Sequence, residues 1–304
     1  MKQIKFFYIV FLLTAGLLSC RSSAPVSASA AEAETETYSS VWKISKNGNT
    51  MYLGGSIHVL RESDLPLPEE FNRAFSLSDI LVLETDVEQM ENQEIAQYLI
   101  SQMFLPGEET LQTILNESTY KMLSQVCDEY GLSVIDAAKL KPSMVINILT
   151  MLQIQKCGFI QQGVDDFFLG KAKDENKPVN FLESIESQID IIVTMGDGYE
   201  NEYVSYSLQD MAETEECLEI LVSDWKNGEA SAMEESLTDM KDNWPVLYKT
   251  FITNRHDAWM PQLEEFIASK QVYFVITGVL HMHGSDGLLR RLENSGYSVE
   301  KLKI

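Results

Sequence analysis

The chain has four histidines among 304 residues, and three of them close apolar, glycine-broken runs. His58 lies in "YLGGSIHVL" (Tyr52 to Leu60), and His281 and His283 end "VYFVITGVLHMHG" (Val272 to Gly284). A neutral imidazole is an uncommon guest inside an apolar strand unless it is hydrogen-bonded or coordinated. Gly54 and Gly55, just before His58, would let another backbone or a substrate approach closely. A core histidine that merely supports a loop meets the same description. His281 and His283 would share a face in an extended segment, and a turn at Gly284 would break that relation. Glu84 and Asp86 sit where the run "DILVLETDV" ends, and a buried glutamate needs a partner or a ligand. Two histidines and a glutamate suffice to hold a hydrolytic zinc-like centre with an open water position. The same trio could form a metal-free general-base site. No helical H-E-x-x-H pattern is present, and spacing alone does not choose between them.

The elements that must position these residues read as a mixed α/β fold. Asn47-Gly48 is a hairpin turn signal ahead of His58. "LPLPEEFNRAFSLS" starts a short helix near Pro68, and Ile80 to Leu83 is apolar on both faces, as in a sheet covered by helices. From about Glu88 to Gln155 the pattern is helical, with stops at Gly131 and Gly158. "GVDDFFLGKAKDENKPVNFLES" reads as helix, turn and a short strand ending on Glu183. A long acidic helical stretch follows from Ile185 to Ala268, broken near Gly196, Gly228 and Asn243-Trp244-Pro245. The chain closes with strand "QVYFVITGVLH", helix "GLLRRLENSG" and strand "YSVEKLKI". Each end thus carries a G-x-x-H strand, a helix and another strand. This predicts two small sheet-containing halves flanking a mostly helical middle.

The N-terminus reads as an export signal. Lys2 and Lys5 precede an apolar run from Phe6 to Leu18 that is short for a membrane span. It ends in "LLSC", which resembles a bacterial lipobox, so residues 1–19 are expected to be removed and Cys20 to carry lipid. The Ser-, Ala- and Glu-rich residues 20–38 read as a flexible tether, leaving residues 39–304 as the folded domain. The expected location is the bacterial cell envelope, exported and held to the membrane through Cys20. The formal net charge is -23, which argues against a nucleic-acid partner. Cys127, Cys157 and Cys217 show no metal or redox spacing, and the sequence does not choose a disulfide among them.

Taken together, the motifs resemble the TraB/GumN family of the TIKI-like superfamily, from about Val41 to Leu302. They are "GSIH" (Gly55 to His58), "VLETD" with Glu84, "GVDDFF" (Gly163 to Phe168), "KPVNFLES" with Glu183, "NRHDAWM" with Arg255 and "GVLHMHG" with Gly278 and His281. The resemblance implies a TIKI/erythromycin-esterase-like fold and a metal-dependent, peptidase-like hydrolase. A divalent metal (Mn, Co or Zn) would be held by His58, His281 and Glu84, with Glu84 as ligand or general base. Arg255 would offer its five-donor fork to a carboxylate or stabilise an oxyanion. Glu183 and His283 are secondary candidates. His256 follows Arg255 where the family usually has Asn, and it is expected at an exposed helix position. Valine stands where the second motif usually has glycine. The superfamily also includes a metal-independent His/Glu esterase and a haem-binding lipoprotein. The alternatives are therefore a metal-free hydrolase or a non-enzymatic ligand-binding or scaffold lipoprotein. Peptides or small molecules are the expected substrates, and homodimer formation is in keeping with the superfamily.

Overall fold

The computed structural model describes residues 38–159 and 161–304. The signal segment and Cys20 lie outside the described residues. A six-stranded mixed sheet organises the chain, in the order β6-β4-β7-β2-β1-β8. Its strands are β1 (Val41–Lys46), β2 (Asn49–Ser56), β4 (Ile80–Leu83), β6 (Val179–Phe181), β7 (Tyr273–Gly278) and β8 (Ser298–Lys301). A separate two-stranded ribbon pairs β3 (Val59–Leu60) with β5 (Gln161–Gln162). The fold is mixed α/β, as the sequence predicts. The strands from the two ends of the chain share one sheet rather than forming two.

Asn47 and Gly48 make the turn between β1 and β2 with φ of 53° and 87°, a pair of left-handed values that favours Asn-Gly. β2, β7, β4 and β6 run parallel, and β1 runs antiparallel to both β2 and β8. Every residue of β4 and β7 is buried, because helices cover both faces.

The helices are α1 (Glu69–Leu77), α2 (Gln93–Gln102), α3 (Leu111–Ile114), α4 (Glu117–Glu129), α5 (Pro142–Lys156), α6 (Val164–Asp174) and α7 (Ile185–Val193). There follow α8 (Glu200–Asp210), α9 (Thr214–Asn227), α10 (Ser231–Asn243), α11 (Pro245–Tyr248), α12 (Asn254–Ala268) and α13 (Leu288–Asn294). Alternate strand residues feed opposite cores, as the two-residue period of a strand requires. Tyr52, Leu81, Phe274 and Ile276 join Phe71 and Phe75 of α1, Phe168 of α6 and Trp225 of α9. Leu53, Val82 and Val275 instead join Trp259 and Leu263 of α12 and Leu288 and Leu292 of α13. A third cluster packs α2 on α7 through Ile95, Leu99, Ile185 and Ile189.

Cys127, Cys157 and Cys217 form no disulfide among the described residues. No helix among the described residues is long and apolar enough to cross a membrane.

Candidate active site

The four parallel strands deliver the predicted residues to one edge. β2 ends at Ser56, two residues before His58; β4 ends at Leu83, next to Glu84; β6 ends two residues before Glu183. β7 ends at Gly278, and a short turn over Val279–Met282 carries His281. Ligands of open α/β sheets bind outside these carboxyl ends. The register sets Ser56 of β2 opposite Gly278 of β7, so the two G-x-x-H motifs are side by side.

His58 Nε2, Glu84 and His281 converge on Gly278. A Cβ at residue 278 would lie 3.2 Å from His58 Nε2, 3.5 Å from Glu84 Oε1 and 3.6 Å from His281 Cδ2. The missing side chain lets these three groups close in to that range, and the Gly278 N–H donates to Glu84 Oε1 at 2.6 Å. The cleft beside it is walled by Leu83, Thr85, Val87, Asp165, Asp166 and Leu169.

Two shells of hydrogen bonds fix the imidazoles. His58 Nδ1 lies 2.8 Å from Asp165 Oδ2; the carboxylate can only accept, so Nδ1 carries a proton and Nε2 faces the cleft. Burial alone would lower the His58 pKa, but the Asp165 charge and hydrogen bond, followed by the Glu84 and Asp166 charges, raise it to about 9. His281 is in the opposite state. Arg255 Nη1 donates to His281 Nε2 at 2.9 Å, so that nitrogen bears no proton. His281 Nδ1–H then donates to His256 Nε2 at 2.9 Å, and His256 Nδ1–H donates to the Asp286 carbonyl at 2.7 Å. Both rings are neutral. Burial, and after it the Arg255 charge, hold the His281 pKa well below its ordinary value. Burial likewise lowers His256 to about 4.

Arg255 joins the carboxylates. Its Nε and Nη2 donate to the two Glu183 oxygens at 3.2 and 2.7 Å, and Nη2 also reaches Glu84 Oε2. Gln188 bridges both glutamates, and the Trp259 N–H donates to Glu183. Burial would raise the Glu84 pKa, but Arg255 above all, then the His58 charge and the Gly278 N–H, hold it well below the usual carboxylate range.

All the principal candidates meet here: His58, Glu84, Arg255 and His281, with Glu183 behind the arginine. His283 does not. The turn over Val279–Met282 breaks the extended geometry that would align it with His281, and its ring sits edge-on to Trp42 with centroids 5.6 Å apart. His256, expected to be exposed, is fully buried, because the first turn of α12 points into the site beside Arg255.

Asp165 was not among the sequence candidates. Its signal was the "GVDDFF" motif: a Cβ on Gly163 would fall 2.5 Å from the His58 backbone, so only glycine lets α6 start there. The Val164 N–H bonds the Ile57 carbonyl at 3.1 Å, and Asp165 follows onto His58.

These residues fit part of a metal centre. His58 Nε2 and Glu84 Oε1 both face Gly278, and Asp165 orients His58 as carboxylates orient metal-bearing imidazoles. His281 Nε2 lies 3.8 Å from Glu84 Oε1 but is taken by the Arg255 N–H. Among the described residues no group of three His, Cys, Asp or Glu side chains is arranged to hold a metal ion.

The model of the TraB/PrgY/gumN family matches residues 40–301. The chain belongs to the TraB/PrgY/gumN family. Within this TraB/PrgY/gumN domain lie all of the site residues, from His58 to Asp286. The chain is 26% identical over 243 residues to "Uncharacterized protein YbaP" of Escherichia coli (strain K12), and equally to the Shigella flexneri protein of that name. The matches cover 79% of this chain and 87% of each relative. No solved structure matches the chain significantly.

Proposed function

We propose that this family member is a hydrolase of acyl bonds, with peptides as the first substrate class and His58 as the general base. The observation that supports it is the cleft that His58 and Glu84 line together, with His58 Nε2 and Glu84 Oε1 both turned to Gly278. A water there would be oriented by Glu84 and would give its proton to His58 as its oxygen attacks the carbonyl carbon. His58 would then pass that proton to the departing amine or alkoxide, so the histidine ends as it began. Glu84 orients rather than accepts, because Arg255 makes it too weak a base. Asp165 holds the ring and stabilises the imidazolium. The resting imidazolium, with its pKa near 9, must first lose its proton.

A second reading, a divalent Mn, Co or Zn ion, is favoured by the Asp165–His58 arrangement. His58 and Glu84 would hold the ion, joined by His281 only if Arg255 released its Nε2. Such an ion supplies a bound water acidified towards neutrality. A lipid anchor on Cys20, holding the protein to the bacterial cell envelope, is part of the same proposal and is supported by the "LLSC" sequence alone.

The test is hydrolysis of 4-nitrophenyl acetate and of a quenched-fluorescent peptide library by protein dialysed against EDTA, beside His58→Gln. Hydrolysis that survives EDTA, rises with pH towards about 9 and falls roughly 100-fold or more in the variant supports the His58 mechanism. Activity abolished by EDTA and restored by Mn, Co or Zn replaces it with the metal reading. No turnover of either substrate by the native protein overturns both.

A further inference from the structure

The cleft holds more negative than positive charge. Three carboxylates, Glu84, Asp165 and Asp166, line it with His58, and Glu183 and Arg255 stand behind Glu84. Glu84 and Glu183 share Arg255, and Asp165 pairs with His58. Asp166 has no ion pair among the described residues; the backbone of Gly163 supplies its hydrogen bond. Burial, and after it the Asp165 charge, push its pKa up to about 7 against the opposing pull of the His58 charge.

A second, independent feature of the same wall is Thr85. It is only 4% exposed, yet its Oγ1 has no hydrogen-bond partner among the described residues. A buried hydroxyl normally has a partner, and Thr85 Oγ1 keeps its acceptor capacity for a group that reaches it. Between and beside these polar groups the lining is aliphatic: Leu83, Val87 and Leu169.

We propose that the cleft binds the primary ammonium group of its substrate, on an aliphatic stem, with Asp166 as counter-ion and Thr85 Oγ1 as a further acceptor. The ammonium would supply the positive charge the site lacks, and Leu83, Val87 and Leu169 would cover the stem. A guanidinium suits the site less well. It prefers two free oxygens of one carboxylate, and Asp166 already spends acceptor capacity on Gly163, which favours a compact point charge. The inference rests on the hydrolytic reading only in placing the cation on a substrate, so binding and turnover are measured separately.

The experiment titrates wild type, Asp166→Asn and Thr85→Val by calorimetry with acetyl-Ala-Lys-Ala-amide and with its Nε-acetylated copy. A second pair, Leu-Ala-Ala-amide free or acetylated at its N-terminus, separates a chain-end ammonium from a lysine side chain. The expected result is at least tenfold tighter binding of the charged member of one pair to wild type. That preference should vanish in Asp166→Asn and fall severalfold in Thr85→Val. Asp166→Asn removes an unpaired charge and should melt no lower than wild type, so lost binding is not lost folding. Equal affinity within both pairs, or a preference that Asp166→Asn leaves intact, overturns the proposal. So does a titration with Mn, Co or Zn in which Asp166→Asn weakens metal binding and leaves peptide binding unchanged. A charged peptide that binds as expected but is never cut upholds the ammonium site and counts against the hydrolase.

Discussion

Replacing Asp165 by Asn removes one charge from beside His58 while keeping the shape and an acceptor at Nδ1. In the native protein His58 titrates at about 9 instead of 6.5, because Asp165, with help from Glu84 and Asp166, outweighs burial. That difference corresponds to about 3 kcal/mol. The pKa is raised on folding, so this stabilisation is present in full below pH 6.5 and is lost as pH rises through about 9. Without the Asp165 charge the burial effect dominates, and His58 should titrate at 6.5 or lower. Between pH 6 and pH 10 the native protein should therefore lose about 3 kcal/mol more stability than Asp165→Asn. For a domain of this size that is a difference in Tm change of roughly 5–10 °C. Groups remote from Asp165 are common to both proteins and cancel; Asp166, whose pKa near 7 the Asp165 charge helps to raise, does not, so the His58 titration itself is the deciding reading. Calorimetric unfolding across that range, with an NMR titration of the His58 Cε1 proton, reads both quantities. A native His58 that titrates near 6.5, or an equal pH response in the two proteins, would refute the dyad and the basicity argued from it.

Gly278→Ala keeps a permitted backbone, since φ is -49° and ψ is 137°, but places a methyl 3.2 Å from His58 Nε2. Stability should change by less than about 1 kcal/mol while hydrolysis falls roughly 100-fold, as checked by melting and turnover on one preparation. Arg255→Met leaves Glu84 and Glu183 buried without their cation, and chemical denaturation should show a loss of about 3–5 kcal/mol. For His256, long-range 15N spectra of the native protein should show it and His281 neutral and protonated on Nδ1 from pH 5.5 to 8. His256→Ala strands the buried His281 Nδ1–H and should cost about 1–3 kcal/mol; a native His281 protonated on Nε2 would contradict the relay.

Much of this site could be read from local pattern. Strand ends were visible because apolar runs stop at Glu84 and at the G-x-x-H glycines, and parallel strands place such ends together. The Asn47-Gly48 turn and the Gly131, Gly158 and Gly228 helix stops were local for the same reason. What the pattern could not give were facts about crossings. His256 reads as a solvent-facing helix residue until α12 is seen to begin at the sheet edge. Asp165 reads as an ordinary acidic first-turn residue until α6 crosses the His58 backbone. The Arg255 contact with His281 is likewise tertiary, and it decides how many nitrogens are free for a metal. His283 failed for a smaller reason: one tight turn after Gly278 ends the two-residue alternation.

The position of β7 also governs how the chain reaches this state. It is next to last in sequence among the sheet strands but lies between β2 and β4, which were made some two hundred residues earlier. With strands about 4.8 Å apart, β2 and β4 would face each other across a slot of roughly 10 Å until β7 enters. A chain ending before Tyr273 can form the β1–β2 hairpin, but neither sheet core can close, because Phe274 and Val275 supply opposite faces. Pairing across so long a separation is slow to form and cooperative once formed. The edge that carries the candidate site therefore comes into being in the same step as the sheet's centre, and no truncated or half-made chain can carry it.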